Sequence, residues 1–276
     1  MFPSAQLAST FPSKQLGTTL FAFDDLSSTN TFALELIRKN PQDGTLIFAN
    51  RQTDGRGRLD RNWFSPPDRN IYASLIKRLP CITPIQDAGW VPLLAGLAIV
   101  QAIEESADQS LVLKWPNDIL MREKKLGGIL CETATDFEGT RWVVIGFGIN
   151  VNQAKISLPF ELQETVTSLQ QESGRQWDRL SLLQGMASSV ESIFSDSAFN
   201  NLPAWKNAYQ ARCSTIGQTI QVKFPDGSIL TGIAQSIGEQ GQLKVCPIPS
   251  LAKPQSDRMV DIHAADILHI RRSTST

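Results

Sequence analysis

Apolar residues recur at helical spacing in four stretches of the chain. Over residues 28–39, Phe32, Leu36 and Ile37 share a face, the polar triplet Ser28-Thr29-Asn30 supplies capping oxygens at the start, and Asn40-Pro41 ends the helix. A second helix is predicted from Pro92, a favoured first helical position, to about Ser106, with Leu93, Leu97, Val100 and Ile103 in register. A third follows Asp178 with Leu180, Leu183, Ala187, Val190 and Phe194 on one face, and a shorter one covers residues 202–212. Strand-like runs lie between them at residues 45–52, 70–79, 111–115, 118–122, 126–133 and 142–151. Several follow one another with no helix between, and Arg122-Glu123-Lys124 reads as a hairpin connection. The pattern therefore predicts an α+β fold on a mixed sheet, not a repeated βαβ winding.

Near residue 212 the pattern changes. Short apolar runs at 218–224, 229–237, 243–245, 259–262 and 267–270 are separated by turns such as Pro225-Asp226-Gly227 and Glu239-Gln240-Gly241, which predicts a small β-barrel. Residues 1–211 and 212–276 are thus expected to form two domains. Residues 247–257, with three prolines, read as a loop inserted in the barrel, and residues 273–276 as a fraying end.

Composition narrows the function. The chain has 276 residues, of which 41% are hydrophobic and 19% charged, enough for a core without disulfides or metals. Its 26 basic and 27 acidic residues nearly cancel, so it lacks the overall attraction that non-specific DNA binding or a polybasic membrane anchor requires. Any cationic function must be local. Cys81, Cys131, Cys213 and Cys246 form no CxxC pair and the histidines are His263 and His269 alone, which excludes zinc-ribbon and HExxH chemistry and points to reduced thiols in a cytoplasmic protein. The start has no signal-peptide pattern, and the most apolar segment, residues 90–100, is interrupted by Pro92 and Gly96, so no membrane span is expected.

Three segments carry candidate chemistry. In Gly55-Arg56-Gly57-Arg58-Leu59-Asp60-Arg61-Asn62-Trp63, glycines let the backbone approach a ligand while Arg56, Arg58 and Arg61 supply forked donors for phosphate or carboxylate. The alternative is a solvated surface loop. Lys114-Trp115-Pro116-Asn117-Asp118 puts two polar groups at a strand bend, suited to a ribose or a metal-bound nucleotide or to an ordinary Asn-Asp turn. Just beyond, Lys125 stands beside Gly127-Gly128, where an ammonium can meet a carboxylate or phosphate as charge builds. Glu132 reads equally as a partner or as an edge charge. In Gly146-Phe147-Gly148-Ile149-Asn150 the glycines are expected to leave room for a ligand on one face, which Asn150 continues; the dinucleotide fingerprint fails because Val151 takes the third glycine site. No GxSxG elbow or histidine triad is present.

Taken in order, Ser28-Thr29-Asn30, Gly-Arg-Gly-Arg-x-x-Arg-x-Trp at 55–63, Lys-Trp-Pro-Asn-Asp at 114–118, Lys-Leu-Gly-Gly-Ile-Leu at 125–130 and Gly-x-Gly-Ile-Asn at 146–150 resemble biotin protein ligases, over roughly residues 20–272. The resemblance implies a class II synthetase-like catalytic domain and a C-terminal SH3-like barrel. It implies that biotin, ATP and Mg2+ form biotinyl-5'-adenylate, and that the biotinyl group moves to a lysine of the biotin carboxyl carrier protein of acetyl-CoA carboxylase. Carried over by position, it assigns Ser28, Thr29, Asn30, Gln52, Gly55, Arg56, Arg58, Lys125, Gly128, Ile129 and Gly146 to biotin. It assigns Arg58, Arg61, Trp63, Lys114, Asn117, Asp118 and Asn150 to ATP, with Asp118 also toward Mg2+ through the phosphates. Lys125, Arg56 and Arg58 become the catalytic cations.

A homodimer through an exposed sheet edge is a family expectation. Two features depart from the family: Leu59-Asp60 replaces a basic-small pair in the arginine loop, and only 27 residues precede Ser28, so no DNA-binding repressor domain is expected. Lipoate ligases and octanoyltransferases are the nearest alternative, but their arginine-serine-glycine-rich acyl-pocket motif is missing. A non-catalytic biotin sensor would not need Lys125 and both loop arginines.

Overall fold

In the computed structural model, the residues described are 19–79, 89–106, 109–194, 202–224, 226–248, 259–263 and 266–269. The proline-bearing loop, the C-terminal end and Cys81 fall wholly or almost wholly outside them. A seven-stranded mixed sheet runs in the order β1-β2-β3-β7-β6-β5-β4. Its strands are β1 (Leu20–Leu26), β2 (Leu46–Gln52), β3 (Ile71–Arg78), β4 (Val112–Lys114), β5 (Asp118–Met121), β6 (Lys124–Thr135) and β7 (Arg141–Ile149). The sequence pattern missed β1, whose Asp24-Asp25 pair interrupts its alternation. It pairs parallel to β2 through helix α1 (Thr29–Ile37), a single βαβ unit at one edge of an otherwise antiparallel sheet. The β5–β6 hairpin turns through Arg122 and Glu123, both with positive φ, as a tight hairpin turn requires.

Each sheet face is covered. Ile47, Ile76, Trp142 and Val144 meet Phe32, Ala33, Leu36 and Ile37 of α1 on one side. On the other lies helix α2 (Val91–Ser106), apolar almost all round and correspondingly buried on nearly every side. It packs against α4 (Arg179–Ile193), which follows Asp178 as expected and is capped by it, and α5 (Leu202–Arg212). A short helix, α3 (Leu169–Ser173), was not visible in the pattern.

After α5 the chain forms a five-stranded antiparallel sheet of β8 (Thr219–Lys223), β9 (Ile229–Ile237), β10 (Leu243–Pro247), β11 (Val260–Ile262) and β12 (Asp266–His269), ordered β11-β10-β9-β8-β12. Trp90 Nε1 donates to Glu239 O and Trp115 Nε1 to Gly241 O, each at 2.9 Å, and Ser214 N to Leu113 O at 2.8 Å. Buried indole donors thus find their acceptors across the seam, and the apolar core continues from one sheet to the other.

Candidate functional site

The start of α1 meets the sheet where β3, β7 and β6 align Ser74, Gly146 and Leu130 side by side. Ser28 caps the helix, its Oγ accepting from Thr31 N. Asn30 fits its amide into the space above Gly146, where a Cβ would overlap it, only 2.7 Å from Asn30 Cγ. There Asn30 Oδ1 accepts from Ser74 Oγ (2.6 Å), and Nδ2 donates to Leu130 O (3.0 Å) and Glu132 Oε2 (2.8 Å). Thr29 donates through N (2.9 Å) and Oγ1 (3.2 Å) to Gln52 Oε1, and Gln52 Nε2 donates to Ser65 Oγ (3.1 Å). These groups form one hydrogen-bonded chain of largely buried residues, which holds their positions before any ligand arrives.

The arginine loop closes on itself: Arg56 bridges Asn62, Gly57 N donates to Arg61 O at 2.7 Å and Trp63 N to Gly55 O at 2.8 Å. Leu59 takes a positive φ, rare for a bulky residue, and its side chain is exposed. Trp63 lies over Gly128 and Gly148, paired neighbours on β6 and β7; a Cβ on Gly148 would stand 2.6 Å from the indole. The room expected above the two glycines of β7 is therefore filled by Asn30 and Trp63. Lys125 Nζ sits 5.1 Å from the Trp63 ring centroid and pairs with Asp118 Oδ1 at 2.7 Å. Arg58 Nη1 donates to Asn117 Oδ1 at 3.3 Å, and Asn150 Nδ2 to Thr167 O at 3.1 Å.

Ser28, Thr29, Asn30, Gln52, Arg56, Arg58, Arg61, Trp63, Lys114, Asn117, Asp118, Lys125, Gly128, Ile129, Gly146 and Asn150 all line one cleft of about 500 Å³. That is the size of a small-molecule site. Gly55 does not line it: the residue is buried behind the loop, where a Cβ would stand 2.6 Å from both Ser65 Oγ and Trp63 O. Asn30 reaches the cleft, with its amide hydrogen-bonded to Ser74, Leu130 and Glu132. Among the described residues that line the cleft, six are basic, Arg56, Arg58, Arg61, Lys114, Lys125 and Lys223, against one carboxylate, Asp118, with Arg56 itself paired to Glu132. In a chain of net charge -1 this is a strong local bias toward an anionic ligand.

Sequence reasoning missed Ser74, Ser65, Lys223 and the wall made by Leu158, Leu162 and Val166. It left Glu132 without a role. Ser74 was legible as the polar position inside the buried run Ile71–Ile76, and Glu132 as the residue continuing the Gly128, Leu130 face of β6. Among the described residues no group of three or more His, Cys, Asp or Glu gathers as a metal site.

A mixed sheet with a glycine floor, an arginine loop and a basic cleft defines a ligase of the Biotin/lipoate A/B protein ligase family, whose profile matches residues 22–150. The chain is 38% identical over 228 residues to the Bacillus subtilis bifunctional ligase/repressor BirA, covering 83% of this chain and 69% of that protein. It is 34% identical over 239 residues to the Mycobacterium tuberculosis biotin--[acetyl-CoA-carboxylase] ligase, covering 83% and 80%. The structure of the Aquifex aeolicus biotin protein ligase in complex with biotin and ATP superposes with a TM-score of 0.72 at 26% identity, covering 92% of this chain and 99% of that one. The protein belongs to the biotin protein ligase family.

Proposed function

We propose that this protein activates biotin with ATP to biotinyl-5'-AMP and transfers the biotinyl group to a lysine of the biotin carboxyl carrier protein of acetyl-CoA carboxylase. The observation that carries this reading is the cleft itself, polar and pre-ordered at one end and strongly cationic at the other.

Biotin brings a neutral ureido head and an anionic carboxylate. At the head end Ser28 Oγ, which accepts from Thr31 N, keeps its proton to donate, and Gln52 Nε2 keeps a second N–H beyond the one given to Ser65. Both suit the ureido carbonyl. The carboxylate then points toward Lys125 and Arg58. In the first step a carboxylate oxygen attacks the α-phosphorus of ATP and pyrophosphate leaves. The two anions repel, so fixed cations that hold them together and offset charge building on the phosphate supply the catalysis. In the second step the carrier lysine, as free amine, attacks the acyl carbon and AMP leaves. No enzyme nucleophile is needed.

Trp63, Asn150 and Asn117 surround the nucleotide end, with Arg61 and Lys114 reaching the phosphates. One carboxylate, Asp118, beside Asn117 fits Mg2+, which is commonly bound through one or two carboxylates plus substrate phosphates. Bound there, the ion would neutralise phosphate charge. The C-terminal five-stranded sheet is read as an SH3-like barrel beginning near residue 212, and the four scattered cysteines suit a cytoplasmic enzyme.

Pyrophosphate–ATP exchange tests this without a carrier. Exchange that requires biotin and is not supported by lipoate or octanoate is the expected result. Exchange with either of those acids in place of biotin would move the protein to the sister activities, and no exchange despite biotin binding would make it a sensor.

A further inference from the structure

Arg56 was expected to meet the ligand's anionic end, yet its guanidinium is turned onto β6. Arg56 Nη2 lies 2.8 Å from Glu132 Oε2 and 3.1 Å from Oε1. The same Oε2 accepts from Asn30 Nδ2, at the helix start that carries Ser28 and Thr29. Glu132 therefore joins two parts of the cleft far apart in sequence, the arginine loop and the head-group end. We propose that Glu132 is a positioning residue that fastens the Gly55–Trp63 loop over the cleft through Arg56 and sets that fastening in register with α1 through Asn30. This rests on the functional reading above only for its effect on turnover, not for the fastening itself.

The ion pair is part-exposed, with 37% of the Arg56 and 26% of the Glu132 side chain accessible. Such a pair adds little to global stability. Its leverage is local. The loop carries a strained Leu59 and meets the cleft through Arg56, the Arg58–Asn117 hydrogen bond and Trp63, and removing one such anchor from a local segment shifts its closed population. Affinity for a ligand that needs the closed loop scales with that population. Arg58, turned instead toward Asn117, remains the loop cation at the nucleotide end, so Arg56 and Arg58 divide fastening from phosphate contact.

Glu132→Gln is the informative variant, because the amide oxygen still accepts from Asn30 while the charge that holds Arg56 is gone. Without any ligand, limited trypsin digestion should cut after Arg56, Arg58 or Arg61 about 2- to 5-fold faster than in the wild type. In biotin-dependent exchange KM for biotin should rise by a similar factor with kcat nearly kept. The swap Arg56→Glu with Glu132→Arg should recover KM relative to either single change. A loop cut at the wild-type rate in Glu132→Gln overturns the proposal, as does a swap no better than Glu132→Arg alone. If the wild type shows no biotin-dependent exchange, the functional reading fails, and the ligand-free digestion still decides whether Glu132 fastens the loop.

Discussion

Replacing Gly146 with alanine tests how the head-group end is built. The new methyl would overlap the Asn30 amide at 2.7 Å from Cγ, and Asn30, 4% exposed, has no space to yield while keeping its partners. Its displacement breaks the bonds to Ser74 Oγ, Leu130 O and Glu132 Oε2. Two neutral bonds at about 1 kcal/mol each and one to a carboxylate at about 1.5–3 kcal/mol give a loss of about 3.5–5 kcal/mol. The alanine, being less flexible in the unfolded chain, returns about 0.5–1 kcal/mol. The net is a destabilisation of about 2.5–4.5 kcal/mol, a large fraction of the stability of an ordinary domain. Urea unfolding followed by tryptophan fluorescence measures it directly, and calorimetric titration of biotin should show at least tenfold weaker binding because Thr29 shifts with its neighbour. An unfolding free energy within about 0.5 kcal/mol of the wild type, with unaltered biotin affinity, would refute the cradle of Gly146 as the support of Asn30.

Other outcomes follow from the same geometry. Lys125→Ala should slow biotin-dependent exchange by about 100-fold or more at saturating substrates, since it removes a charge aimed at the reacting centre. Arg58→Gly should release biotinyl-adenylate into solution, seen as biotin on added bystander proteins, whereas Arg56→Gly should act chiefly through KM. Gly185→Ala, on the exposed face of α4 with open space around it, should stabilise the chain by about 0.5–1 kcal/mol in urea. Asp136 has its carboxyl held below the usual carboxylate range, first by the Trp142 Nε1–H donor and then by backbone donors at Thr140 and Glu138. Its contribution is therefore complete above the ordinary aspartate value of about 3.9 and is lost as pH falls through the lowered one. The melting temperatures of wild type and Asp136→Asn should differ at neutral pH and converge in acid.

Much of this molecule was legible from residue order. Helix starts were marked by local chemistry: Ser28 caps its helix where expected, and the helix that follows Asp178 is capped by it, because a side-chain oxygen at that position satisfies orphan amides whatever the tertiary fold. β1 was not legible: Asp24 and Asp25 sit at its exposed end, and only its pairing with β2 makes it a strand. The cleft residues carry their motifs in sequence, but their division of labour is tertiary. Nothing in Ser-Thr-Asn shows that the Asn30 amide bonds within the protein, because that depends on Gly146, Ser74 and Glu132 lying on three different strands. The direction of Arg56 was hidden in the same way, since it follows from the face of β6 on which Glu132 lies.

On the proposed function, one cleft carries biotin from free acid to a carrier lysine through an adenylate. Incubating the protein with biotin, MgATP and an isolated carrier domain of acetyl-CoA carboxylase, then reading the carrier by intact-mass and peptide mass spectrometry, tests it most directly. A single biotinyl group on one lysine, with AMP and pyrophosphate released in equal amount, is the predicted result. An unmodified carrier in the presence of folded, biotin-bound protein would contradict the account.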